Sequence, residues 1–418
     1  MNSNRFFIFF FHLGLFFATA VFGDSISSNP GAVNISTGTG KLGELLGLKI
    51  DSGVRLGGLL IEDANYLFCG GVDPRKWSGN SLFILDLNLN TEKLKWWQGG
   101  AFGAEFLQFN GQPTNDEAGT VQGYNSLVAS PPFGNRSELY QIWFRQEFFC
   151  KKFIFRIGKS IPSYDFNNVI RPLLTGVKGI PATTGLIYTP IYVNSSLLGV
   201  LPGYYNSAYG ICLTIAPKED IYINYGIYDG NLARGEQTGL RVGPRFNAYR
   251  FQIIEVGYGW AEKKYPGDIG VGGWNQSGTL TTPNGVTEHG CDGLYLFGSQ
   301  RLWWRNYEKD NSGINGFIQA GVNDSKTLPA TAYGGAGLTF LGLLPNRIDD
   351  SFGIGMALAR LNPRQFDRPS ELILQGYYQA RLFADAYFVS AISYIPNPGL
   401  AEHLKSACAG TARIILLF

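Results

Sequence analysis

The chain has 418 residues, enough for one large barrel or several ordinary soluble domains. Aromatics make up 14% and glycine 55 positions, while charged residues are only 16%, against about 25% in soluble domains. That balance excludes a soluble helical bundle, whose surface needs more Lys and Glu. The net charge of +2 leaves no electrostatic footprint for nucleic acid.

The first element is a targeting segment. Met1 to Arg5 carries one positive charge, Phe6 to Phe22 is almost wholly apolar, and small residues (Val21 and Gly23, or Ala18 and Ala20) precede Asp24. This is the order of a secretory signal, expected over residues 1–23. An uncleaved anchor is the weaker reading, because the apolar run is at the short limit for a span and no basic flank follows. Residues 24–53 read as an N-terminal periplasmic segment, Ser/Asn/Gly/Pro-rich at first, with a short helix expected within Gly40 to Lys49.

From residue 54 onward the period is two. Phe83, Leu85, Leu87 and Leu89 alternate with Ile84, Asp86, Asn88 and Asn90. Tyr140, Ile142, Phe144 and Phe148 alternate with Gln141, Trp143, Arg145 and Glu147, and Phe153, Phe155 and Ile157 with Ile154, Arg156 and Gly158. Such strands have one greasy face and one wet face. Connections alternate in length: Asn90 to Lys93, Pro217 to Asp220 and Phe383 to Ala386 are tight, whereas Asn110 to Arg136 is long and Asn/Gly/Pro/Ser-rich. The expected fold is all-β, a transmembrane antiparallel barrel over residues 54–418, with short periplasmic turns and longer outer loops. At roughly 25 residues per strand and connection it holds about 16 strands.

The chain stops on Phe418, with Ala412, Ile414, Leu416 and Phe418 on one face of a last strand. A closing aromatic of this kind is expected to engage the bacterial barrel-assembly machinery in a Gram-negative outer membrane. Cys69, Cys150, Cys212, Cys291 and Cys408 lie far apart with no CxxC pair, which disfavours a zinc or redox centre. They are either isolated small apolar residues or include one disulfide between strand ends or loops.

Enzymatic motifs are scarce. Gly38, Gly40 and Gly43 spell GxGxxG, but no strand precedes them as a dinucleotide site requires. GxSxG and HExxH are absent, and past the signal only His289 and His403 remain for acid–base work. Asp349 and Asp350 fall in an expected turn, as solvated loop charges. No cofactor or metal site is expected, and no enzyme activity.

Several stretches resemble the carbohydrate-selective porin family of Gram-negative outer membranes, the OprB family. They include KWWQGGAFGAEFLQFNG (Lys95 to Gly111), LYQIWFRQEFF with FRIGKSIPSYDF (within Leu139 to Phe166), DIYINYGIYDGN, FQIIEVGYGW, GDIGVGGWNQSG, GLYLFGSQRLWW, GGAGLTFLGLLPNRIDDSFGIGMALARL and LFADAYFVSAISYIPNPG, in order along the chain. The N-terminal block departs from the family, with GTGKLGELL where a GDWGG-like opening is usual. The resemblance implies a 16-stranded barrel through which sugars such as glucose diffuse passively. Rival readings are a non-selective porin and, further off, an outer-membrane barrel hydrolase or an adhesin. Analogy with large barrels adds a homotrimer embedded in outer-membrane lipid.

The wet faces nominate the pore lining: Asp86, Asn88, Glu105, Gln141, Trp143, Arg145, Glu147 and Arg156. Sugar hydroxyls need paired donors and acceptors to replace lost hydration, and an aromatic face, from Trp143 or the Trp96–Trp97 pair, can contact sugar CH groups. An Arg facing lipid at the midplane costs roughly 2–4 kcal/mol, so Arg145 and Arg156 are expected inward near a constriction, with Glu147 and Glu105 as counter-charges. The alternative is that these charges only brace the wall.

Overall fold

The computed structural model describes residues 38–418 except 50, 128–134, 163–164, 168–205, 219, 235–242, 261–263, 308, 311 and 384. The expected signal and half of the expected leading segment, 24–37 and 50, therefore lie outside the described residues. Within them the period-two stretches become sixteen strands: β1 (Val54–Cys69), β2 (Trp77–Asn90), β3 (Gly100–Gly111), β4 (Arg136–Phe148), β5 (Phe153–Ser160), β6 (Ala208–Lys218), β7 (Ile221–Asp229) and β8 (Arg250–Gly259), then β9 (Gly267–Thr281), β10 (Thr287–Trp304), β11 (Gly313–Asn323), β12 (Ala330–Leu341), β13 (Ser351–Leu361), β14 (Ser370–Phe383), β15 (Ala386–Ile395) and β16 (Ala407–Leu417). Each pairs antiparallel with its sequence neighbours, and β1 pairs with β16 to close the barrel. Closure leaves no strand edge unpaired, which is what allows a sheet to stand in hydrocarbon.

One rim carries the tight connections, such as β4–β5 through residues 149–152. The opposite rim carries the longest ones, 112–135, 161–207 and 230–249, together with the short 282–286 and 324–329 links. Outward residues of the middle band are Val271, Ile318, Ile354 and Ile392, all exposed. Rings collect at the turn rim, with Phe102 on Phe144 at 4.9 Å, Phe340 on Phe352 at 4.6 Å and Tyr258 on Trp260 at 5.6 Å. At the loop rim Tyr66 meets Trp77 at 4.7 Å. An apolar band between aromatic girdles is the outer surface of a membrane barrel.

The seam is locked at the turn rim by the last residue. Phe418 donates its N–H to the Gly58 carbonyl at 3.0 Å, and its own carbonyl accepts from Gly58 at 2.7 Å and Thr39 at 3.0 Å. A side chain at Gly58 would strike the Ile84 carbonyl at 2.2 Å and the Phe418 ring at 2.7 Å, so the close approach requires glycine. The helix expected within Gly40 to Lys49 shrinks to α1 (Lys41–Leu45), little more than one turn. Gly40 and Gly47, both left-handed, bracket it.

Candidate functional site

Parity places the functional side chains. On β2 to β5 the register aligns Asp86 with Glu105, Glu105 with Gln141, and Arg145 with Arg156, all on the inner face. All eight nominated residues point into the barrel, but they do not share one environment. Asp86, Glu105, Gln141, Trp143 and Arg156 are buried, whereas Asn88, Arg145 and Glu147 keep partial exposure.

Asp86 is covered by Arg55 on β1, which donates to it, and inward-folded loops add to the burial elsewhere. The first, residues 112–127, carries the short helix α2 (Thr114–Ala118) and is pinned to both sides of the seam. Thr114 Oγ1 contacts Ser78 Oγ at 2.8 Å and accepts from Asn80 Nδ2 at 2.8 Å. Glu371 on β14 accepts from the Gln122 N–H at 2.8 Å and from the Gly399 N–H at 2.6 Å. Asn125 Nδ2 donates to Asp63 at 2.8 Å and Asn65 at 2.7 Å on β1. Arg413 on β16 donates twice to Asp63, both at 2.7 Å. Tyr124 is buried here, and burial pushes its phenol well above the ordinary value, with the Glu117 and Asp63 charges adding.

The second loop leaves β5 and reaches toward the far wall. Arg156 donates to Asp165, and Asn224 Nδ2 on β7 donates to the Asp165 carbonyl at 2.9 Å. The Asn167 N–H then donates to Glu255 on β8 at 2.6 Å, and Gln319 on β11 donates to the Asn167 carbonyl at 3.2 Å. Glu255 also accepts from Tyr222 at 2.7 Å and Tyr295 at 2.9 Å. Residues 165–167 thus tie β5 to β7, β8 and β11 across the interior and narrow the bore.

These contacts revise the expected pairing. Arg145 and Arg156 sit directly opposite, an unfavourable pair unless each has a counter-ion. Glu147 serves Arg145 at 2.8 Å, as expected. Arg156 is served by Asp165, a loop residue outside the strand pattern, and not by Glu105, which accepts from Gln141 at 2.6 Å.

Three further expectations change. Trp143 is only 3% exposed and lies over Gly103, where a Cβ would come within 2.0 Å of its ring, so it is wall and not an open platform. Trp96 and Trp97 are exposed in the β2–β3 turn and belong to the girdle. Tyr140, expected on the greasy face, is buried inside, because a bulge between Glu105 and Phe106 sets Gln141 and Leu139 opposite consecutive β3 residues. Of the missed contributors, Asp165 and Asn167 lie in a loop with no period-two pattern, and Asn167 meets partners remote in sequence. Glu255 sits on the inner face of β8, where a carboxylate in an alternating strand was the available signal. An apolar hollow of about 890 Å³ lined by Ile269, Leu302, Ile318, Leu338, Ile354 and Leu374 lies on the outer wall and is no part of the conduit.

A profile of the carbohydrate-selective porin, OprB family, matches residues 82–382. The chain belongs to that family. OprB-family members are outer-membrane porins, and the sixteen-stranded barrel with its narrowed bore is the structure of such a channel. Among solved structures, Pseudomonas putida OprB at high pH superposes with a TM-score of 0.75 at 16% identity, covering 94% of this chain and 100% of that one. The low-pH structure of the same protein gives 0.59 at 14% identity, covering 93% and 100%. OmpT of Vibrio cholerae, in a trimer form, gives 0.50 at 10% identity, covering 87% and 99%. At these identities the likeness speaks for fold. No curated protein matches the chain in sequence.

Proposed function

We propose that neutral sugars pass through the gap left between the two inward loops and the wall bearing Asn88, Arg145 and Glu147, and that these three contact the solute. The observation that carries this is the Asp165–Asn167 crossing, which turns a wide bore into a polar constriction. Arg145 and Glu147 form a nearly neutral pair, 18% and 21% exposed, presenting donors and acceptors side by side. A hydroxyl that has shed water finds both partners there, and the pair does not favour either ion sign. Asp86, Glu105, Gln141, Trp143 and Arg156 act behind this surface by holding the wall. The chain works as a passive conduit with no cofactor and no reaction. Liposome swelling tests the reading: a hexose should enter faster than a zwitterionic amino acid of similar size. Equal rates set by size alone would favour the non-selective porin.

Processing and assembly follow the same reading. Residues 1–23 leave as the signal, 24–53 remain at the periplasmic rim, and 54–418 form the barrel; amino-terminal sequencing of the mature protein should begin at or near Asp24. A homotrimer is supported by one sector of the outer face. Glu62 on β1 lies opposite Ser81 on β2, and Gln108 on β3 lies opposite Ser137 on β4, all outward. Elsewhere that face is mostly apolar, with Ile, Leu, Val and Met, although Gln300 on β10 and Arg360 on β13 also point outward. A carboxyl facing lipid is unfavourable, and a neighbouring copy would cover it. The detergent-corrected mass should be that of three chains, and a one-chain mass would remove the trimer.

A further inference from the structure

The seam between β1 and β16 runs in step from Leu59 opposite Leu417 to Leu67 opposite Ala409. In that register Cys408 would face Phe68, and Cys69 would face Ala407. A bulge between Leu67 and Cys69 inserts one residue and sets Cys69 directly opposite Cys408. The bulge therefore brings together two cysteines separated by most of the chain.

Residues directly opposite in an antiparallel pair have Cα atoms about 4.5–5.5 Å apart. A disulfide spans Cα separations of about 4.4–6.8 Å. Both side chains belong to the same face at the loop rim; Cys69 is exposed and Cys408 partly so. The backbone there is already held. Gly70 presses against the Ser406 carbonyl, where a Cβ would come within 1.8 Å, and the Gly71 N–H donates to the Lys405 carbonyl at 3.3 Å. Glu117 fastens the adjoining loop through the Val72 N–H at 2.8 Å and Lys76 at 2.9 Å. The other three cysteines share no rung with one another or with this pair: Cys150 is at the turn rim, and Cys212 and Cys291 are buried on β6 and β10.

We propose that Cys69 and Cys408 form a disulfide that clasps the first strand to the last at the loop rim. One thiolate attacks the disulfide of a periplasmic thiol–disulfide oxidoreductase, and the second cysteine displaces the mixed disulfide. A sulfur–sulfur bond forms between Cys69 and Cys408, the oxidoreductase bond breaks, and its two sulfurs leave as thiols carrying the two electrons and two protons. An exported chain passes through a compartment where such exchange is normal. The bond closes the barrel covalently at the end opposite the Phe418 hydrogen bonds.

Outer membranes prepared with free thiols blocked by N-ethylmaleimide in denaturant supply the test. The boiled, unreduced full chain should run faster than the reduced chain, because a link between residues 69 and 408 keeps most of it in a closed loop. Peptide mass mapping should find Cys69 joined to Cys408 and the other three cysteines alkylated. Cys69→Ser and Cys408→Ser should each run at the reduced position with or without reductant. Five alkylated cysteines in the wild-type chain, or a link between any other two, overturns the clasp.

Discussion

At the scale of single residues, the interior divides into groups that meet solute and groups that hold the wall. Arg145 and Arg156 test that division, since they face each other across one rung yet differ in surroundings. Arg145→Ala removes a partly exposed cation from the bore; it should raise conductance modestly and weaken sugar block severalfold, as read in single-channel recordings. Arg156→Ala instead frees Asp165, so the crossing loop should loosen and conductance should become noisy and larger. If both variants behave alike, the division is wrong. Asp63 and Arg413 present a second residue-level case. Removing one member of a buried charge pair costs about 3–5 kcal/mol, while replacing both by apolar groups costs far less. Asp63→Asn should therefore lower the unfolding temperature strongly, and Asp63→Leu with Arg413→Met much less, in thermal melts of the purified barrel.

At the scale of elements, the turn between β12 and β13 carries a pH dependence. Burial opposes ionisation of Asp350, but hydrogen bonds from Tyr378, from Arg347 at 2.6 Å and from the Arg381 N–H at 3.0 Å outweigh it and hold the carboxyl below its ordinary value. A depressed folded value means this stability is fully present above the ordinary carboxylate range, near pH 4, and is lost as pH falls through the folded value. Melts from pH 5 downward should show a decline that Asp350→Asn reduces. The expectation of solvated charge there suits Asp349, which is exposed and pairs with Arg381 at 3.1 Å, but not Asp350, which is buried.

The strands themselves were legible, because alternation at Phe83 to Asn90 or Phe153 to Gly158 reflects only which side of a sheet is wet. Inward apolar residues such as Leu107 and Phe109 blurred it, since they pack on Leu127 and Ile161 of the inward loops. Loop insertion is a long-range event with no local period, so Asp165 and Asn167 could not be read from the sequence. Glu255, a carboxylate alternating with Ile254 and Val256 on β8, was legible as an inward residue, though its loop partner was not. The bulge that turns Tyr140 inward is likewise set by pairing with β3 and not by β4 alone.

At the scale of the whole molecule, the barrel is a ring closed at one seam, and three features span that seam: Phe418 at the turn rim, Arg413 with Asp63 inside, and the Cys69–Cys408 rung at the loop rim. Phe418→Ser removes the ring that packs on Gly58 and Phe83 while keeping the backbone bonds. Export should continue, but the amount of heat-modifiable barrel in outer membranes should fall, as seen by comparing boiled and unboiled samples on a gel. Unchanged levels would take Phe418 out of assembly. The central claim, that a polar constriction selects sugars inside this barrel, is tested most directly by single-channel conductance of the wild-type chain with increasing neutral hexose. Ion current should fall saturably as sugar occupies the constriction, with a weaker fall in Arg145→Ala. A current that drops only in proportion to solution viscosity, identically in both proteins, would contradict it.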